Sequence, residues 1–126
     1  HPQGTFTANF DMSRWVDFHG VLQLQGAEGG SGAKLLDVRD QVEWDGHSSS
    51  PYGVNYAPRM GRLHGATHVE WYSFLEDAEE GVVTFKSPEA IRELMAAKGI
   101  QPDDPLVLYC FKGARASNTL MALTLA

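Results

Sequence analysis

Leu106-Val107-Leu108-Tyr109-Cys110-Phe111-Lys112-Gly113-Ala114-Arg115-Ala116-Ser117 is the stretch on which the reading of this chain turns. Its first four residues form an apolar run after the turn-forming Pro102-Asp103-Asp104-Pro105, and they predict a buried strand. From Ala114 good helix formers continue to the last residue, with Leu120, Met121, Leu123 and Leu125 expected on the apolar side. Cys110 thus falls where a strand gives way to a helix. Loop N–H groups at such a junction can converge into a nest for negative charge. The helix N-terminus adds partial positive charge, and Lys112 and Arg115 add two full charges. Those surroundings favour a thiolate over a thiol. Gly113 permits a tight turn that a side chain would obstruct. A lone strand-end cysteine is more often buried and inert; the basic, glycine-containing loop and the helix start argue against that here.

Outward from this loop, strands and helices alternate. Leu35-Leu36-Asp37-Val38 predicts a second buried strand, and Asp40 to Trp44 a short helix closed by Gly46. Ala66 to Val69 is a further strand, and Trp71 to Glu79 reads as a weakly amphipathic helix. Ser87-Pro88-Glu89 supplies an N-cap, a first-turn proline and a first-turn acid. Ile91, Leu94, Met95 and Lys98 follow at helical spacing, and Gly99 fits the C-terminal cap. That order predicts an α/β fold, a mostly parallel sheet flanked by helices. Ligands of such sheets sit beyond the carboxyl ends of the strands, where Cys110 lies. Gly26 to Gly32 and Gly46 to Gly61 read as loops. The second is long for a compact domain, which marks either a functional loop or an insertion without a role.

The chain has 126 residues, 43% of them hydrophobic, which suits one domain with a real core. A single cysteine excludes an internal disulfide and argues against a thiolate-rich zinc site. Ten basic against sixteen acidic side chains leave a net charge of −6, which argues against a nucleic-acid partner. No apolar window approaches the roughly 18 residues of a membrane span. No basic segment followed by an apolar run opens the chain, which favours a cytoplasmic address. The first residue is His1, as expected of a processed or trimmed product.

Cys110-Phe111-Lys112-Gly113-Ala114-Arg115 resembles the C-x-x-G-x-R active-site loop of rhodanese (thiosulfate sulfurtransferase) domains. Leu35-Leu36-Asp37-Val38-Arg39 resembles the family's first strand motif, and Glu43 and Gly46 its continuation. Gly61-Arg62-Leu63-His64-Gly65-Ala66 resembles the G-H-I-x-G-A motif, and Phe85 to Glu89 the segment before the active-site strand. The resemblance implies Cys110 as nucleophile, with Phe111, Lys112, Gly113, Ala114 and Arg115 forming the substrate loop. Thiosulfate then gives its outer sulfur to Cys110, and cyanide or a thiol removes it, with no metal and no cofactor. Lys112 and Arg115 would attract the thiosulfate dianion. Cysteine phosphatases place Arg six residues after Cys; here Arg115 is fifth and Ala116 sixth, so the loop is narrower. Mercaptopyruvate-using relatives carry small uncharged residues after the Cys, which Phe111-Lys112 are not. Some thiosulfate-using members carry a second substrate-binding Arg after the first strand, where this chain has Glu43. A sulfur relay fed by a protein partner is the alternative function.

Asp37 and Arg39 alternate on the first strand's end and are expected to brace the active-site loop through an ion pair. His64 and His68 stand four apart, but Gly65 and the loop-to-strand pattern argue against a metal site. Trp15, Trp44 and Trp71 read as core or interface aromatics. Glu76, Asp77, Glu79 and Glu80 read as a solvated helix face. Rhodanese domains continue through one more central strand, which residues 1–126 do not supply. Gly4-Thr5-Phe6 before a helix-like Met12 to Phe18 resembles the start of the catalytic second half of a two-domain member. The expectation is a rhodanese domain of a longer tandem protein, or one completed by an N-terminal rhodanese domain or a second chain.

Overall fold

The computed structural model describes residues 4–9, 11–26, 32–77 and 81–126. Its elements, in chain order, are α1 (Phe18–Gly26), β1 (Lys34–Asp37), α2 (Gln41–Trp44), β2 (Thr67–His68), β3 (Leu75–Asp77), β4 (Val83–Phe85), α3 (Pro88–Ala97), β5 (Leu106–Tyr109) and α4 (Ala114–Leu125). Three strands form a sheet in the order β2-β1-β5, and both pairings are parallel. The expected α/β architecture holds. β1 is central because Leu35 and Leu36 are buried in succession, as a strand covered on both faces requires. Leu36 lies opposite Thr67 and Leu108, and Asp37 opposite His68 and Tyr109. This register ends all three strands together. Arg39, Glu70 and Cys110 therefore leave the sheet at one edge.

The core joins Leu36 and Val38 to Val69, Phe74, Ile91, Met95, Ile100 and Ala122. α3 starts as its sequence dictates: the Ser87 hydroxyl accepts the Ala90 N–H at 3.2 Å, and Pro88 opens the first turn. It buries Ile91 and Met95, one turn apart on one face. Gly99 follows in the left-handed region at φ +74°, where other residues are strained.

Three local expectations fail. Trp71 to Glu79 is not a helix. Trp71–Phe74 is a 3₁₀ turn that buries Phe74 fully, and β3 follows, antiparallel to β4 with Leu75 opposite Phe85. The partner strand decides this, because an isolated pattern of Trp71, Phe74 and Leu75 fits either structure. Glu76 and Asp77 are exposed on β3, while Glu79 and Glu80 lie outside the described residues.

α4 buries a face rotated from the one expected, with only Leu123 shared between the two. Leu120, Met121 and Leu125 are exposed, and Thr119, Ala122 and the half-buried Ala116 and Leu123 face inward. Small side chains at that spacing let α4 lie close against the Trp71–Phe74 turn. Met12 to Phe18 is not a helix either. Met12–Arg14 is one 3₁₀ turn, capped when the Asp11 carboxylate accepts the Ser13 N–H at 3.0 Å. Asp17 accepts the Gly20 N–H at 2.8 Å and starts α1 instead. Trp15 is exposed, whereas Trp71 packs against the core. With Val16, Val21 and Leu120, Trp15 lines a groove of about 420 Å³ along β5, which among the described residues is an edge strand. Of the Gly26 to Gly32 loop, 27–31 lie outside the described residues. No helix among the described residues is long and apolar enough to cross a membrane.

Candidate active site

Cys110 leaves the carboxyl end of β5, and α4 begins four residues later. Gly113 adopts φ +88°, a left-handed geometry that a side chain would strain. That turn aims its N–H back at the Cys110 Sγ, which accepts it at 3.0 Å. The Ser117 N–H donates to the Gly113 carbonyl at 2.8 Å and closes the first turn of α4. The thiol is half-buried, with the core on one side and the α4 N-terminus on the other.

Arg115 fixes this loop to α2. Its guanidinium donates to both Glu43 oxygens, at 2.6 and 3.1 Å, and lies 3.1 Å from the Asp40 carboxylate. The Glu43 side chain is fully buried and that of Arg115 is 13% exposed. Burial alone would lower the Arg115 pKa, but the Glu43 hydrogen bond and the Glu43 and Asp40 charges raise it above the usual arginine range. Glu43 also accepts the Asp40 N–H at 3.3 Å across the first turn of α2. Both carboxylates belong to one short helix because Asp40 caps it and Glu43 sits in its first turn. The sequence placed Arg115 beside Lys112 as a charge for the substrate. The structure turns that guanidinium onto two carboxylates, a bond that position alone did not disclose. Two acids just past the first strand were the available signal.

Asp37 and Arg39 form a buried ion pair, with Nη2 to Oδ2 at 2.6 Å. Arg39 also donates to the Gly61 carbonyl at 2.8 Å and lies over the Tyr109 ring, 5.4 Å from its centroid. The Tyr109 hydroxyl accepts the Leu63 N–H at 3.2 Å. Burial and the neighbouring Asp37 push the Tyr109 pKa up, so its phenol stays protonated. The pair thus anchors the residue before Cys110 and the end of the Gly46–Gly61 loop.

Phe111 and Lys112 point to that same loop. Phe111 meets Tyr52 and Tyr56 edge-on, at centroid distances of 5.8 and 5.7 Å. The Lys112 ammonium lies 4.3 Å from the centre of the Tyr52 ring. Sequence reasoning missed Tyr52 and Tyr56; two aromatics in a Ser- and Pro-rich loop were the available signal. Ala114 opens α4 behind the loop. His68 stacks on Trp44 at 4.7 Å, and its Nε2 lies 2.8 Å from the Arg39 carbonyl. His64 lies in the turn before β2.

A parallel sheet that ends beneath a strand–loop–helix cysteine cradle is the rhodanese architecture. The chain belongs to that family: residues 21–126 match the family model described as a rhodanese-like domain. It is similar to a Haloferax volcanii protein named "Putative thiosulfate sulfurtransferase", 37% identical over 73% of this chain and 31% of the relative. It is also similar to the 3-mercaptopyruvate sulfurtransferase of Escherichia coli K12, 25% identical over 97% of this chain and 40% of the relative. The crystal structure of Escherichia coli SseA, described as showing the rhodanese fold and mechanism of 3-mercaptopyruvate sulfotransferases, matches 98% of this chain and 42% of that one. Its TM-score is 0.72 at 26% identity. The chain thus spans between 31% and 42% of the length of these proteins.

Proposed function

We propose that this domain is a sulfurtransferase that carries a sulfane sulfur on Cys110. The observation that carries the reading is the 3.0 Å contact between the Gly113 N–H and the Cys110 Sγ at the start of α4. A hydrogen bond and a helix N-terminus both stabilise negative charge on sulfur. In the first step the Cys110 thiolate attacks the outer sulfur of thiosulfate. The S–S bond of thiosulfate breaks, sulfite leaves with its electron pair, and a Cys110 persulfide remains. In the second step cyanide or a thiol attacks the terminal sulfur. Thiocyanate or a new persulfide departs, and the Cys110 thiolate returns. One hard transfer becomes two easier ones.

In this reading Lys112 attracts the anionic donor, and Phe111, Gly113 and Ala114 shape the cradle. Arg115 holds the loop in place through Glu43 and Asp40, and Asp37 with Arg39 supports it through Tyr109. The partners are a small-molecule donor and acceptor and, beside the β5 edge, a second rhodanese domain or chain. Mercaptopyruvate is the second donor to consider, because the Escherichia coli relative that covers most of this chain carries that name.

Exposure to thiosulfate should add one sulfur, about 32 Da, to Cys110 as the persulfide of an activated thiolate. Cyanide should remove it as thiocyanate. Cys110→Ser should abolish both events and keep the fold. Turnover at the wild-type rate by Cys110→Ser would overturn the assignment of the nucleophile. Loading by mercaptopyruvate and not thiosulfate would overturn the donor.

A further inference from the structure

The Gly46–Gly61 loop has no regular helix or strand, yet it is built to hold its shape. Ser48, Ser49 and Ser50 are only 7%, 4% and 2% exposed, although loop serines usually face water. Their hydroxyls are used inside the loop. Ser48 Oγ donates to the Ser50 carbonyl at 2.8 Å, and Ser50 Oγ accepts the Tyr52 N–H at 3.0 Å. Ser49 Oγ accepts the Ala57 N–H at 2.8 Å, and the Ser49 N–H donates to the Val54 carbonyl at 2.9 Å. These bonds fix the backbone on both sides of Tyr52 and Tyr56. The two rings stand 5.5 Å apart, each 60% exposed or nearly so, and together they face Phe111.

Lys112 completes the group. A free lysine side chain samples many rotamers and places its charge nowhere in particular. Here the ammonium rests on the Tyr52 ring, 4.3 Å from its centre. The ring holds the cation and leaves its charge intact. Two residues separate the backbone of Lys112 from that of Cys110 by no more than about 7–8 Å. Lys112 is thus anchored on the same loop as the thiol, where its charge acts most strongly at low salt. Arg115 is paired with Glu43 and Asp40, whereas among the described residues Lys112 makes no ion pair. Among the described residues, Lys112 is therefore the cation of this loop whose charge no carboxylate offsets.

We propose that Tyr52 is a positioning residue of the Cys110 site: its ring fixes the Lys112 ammonium on the loop that carries the thiol, so that the site favours small anionic reagents over neutral ones. This rests on reading Cys110 as the reacting thiol. A loop distant in sequence thereby sets the charge preference of the sulfur site.

Two alkylating reagents of similar size, one anionic and one neutral, test it. Cys110 is the one thiol in the chain, so each rate reports on this site alone. The ratio of iodoacetate to iodoacetamide rate constants is measured on the full chain at low ionic strength. Lys112→Ala and Tyr52→Leu should each lower that ratio by about two- to fivefold, the scale of an exposed cation–π contact. Tyr52→Phe keeps the ring and should keep the ratio. A change in thiolate fraction alters both rates alike and cancels in the ratio, which separates a charge effect on the reagent from a changed thiol. Added salt should compress the wild-type ratio toward that of Lys112→Ala. A Tyr52→Leu ratio equal to or above the wild-type value, or no change in Lys112→Ala, would overturn the proposal. Alkylation needs no sulfur transfer. A ratio that depends on Tyr52 in a protein that never forms a persulfide would support this proposal and reject the sulfurtransferase reading alone.

Discussion

At the scale of single residues, Glu43 carries more of the site than its position in the sequence suggests. Its carboxylate is fully buried, and the Arg115 guanidinium is what makes that tolerable. Removing one partner strands the other charge in a dry place. Glu43→Ala should therefore lower stability by about 3 kcal/mol, the lower end for a broken buried pair because Asp40 still faces Arg115. Glu43→Gln keeps the volume and one acceptor and should lose less. Urea unfolding checks this: the Glu43→Ala midpoint should fall with little change in slope. A midpoint within experimental error of wild type would mean that the pair does not hold the loop. Cys110, Gly113 and Lys112 were legible because they lie within one short stretch whose chemistry is local. The Glu43–Arg115 bond was not, because it joins residues brought together only by β1 and β5 pairing in register.

At the scale of elements, short-range signals read well and long-range ones did not. α3 carries its own start, apolar face and stop within Ser87 to Gly99, and its sequence predicts it fully. β3 carries no such marks, and its strand state comes from β4. The approach to β1 shows how a junction between elements is held. The Lys34 ammonium lies 2.6 Å from the Asp104 carboxylate and 2.7 Å from the Gly99 carbonyl. Asp104 also accepts the Gln101 N–H at 2.6 Å. These contacts join the end of α3, the turn before β5 and the first residue of β1. The Gln101 hydrogen bond, and then Lys34, hold the Asp104 pKa below its ordinary value of 3.8. A carboxyl with a depressed folded-state pKa adds stability above its unfolded value and loses it as pH falls through the folded one. Asp104→Asn should thus melt below wild type at pH 7, and the gap should close as pH falls below 3.8. Thermal melts from pH 7 to pH 3 read this directly. A constant gap across that range would remove charge from the explanation.

At the scale of the whole molecule, the packing is uneven, and that governs which parts stay closed. β1, α3, α4 and the Trp71–Phe74 turn share one core, whereas residues 4–9 and 11–19 are exposed throughout. Opening free energies should follow that gradient, from near zero at the exposed segment to the global value in the core. The Gly46–Gly61 loop was the part the sequence left undecided between a functional loop and an insertion. Composition shows that it lacks a periodic element, but its Ser hydrogen bonds and its place over Phe111 exist only in the fold. Hydrogen exchange should sort these regions. The Leu36 and Val38 amides should exchange slowest, and the exposed amides of residues 4–9 fastest. The Ser49, Tyr52 and Ala57 amides are bonded to Val54, Ser50 and Ser49, and should fall between these limits despite lying in a loop. Exchange of those three as fast as residues 4–9 would mean that the loop does not hold its shape. Tyr52 would then have no fixed place from which to hold Lys112, and the alkylation ratio of Tyr52→Leu would match that of wild type.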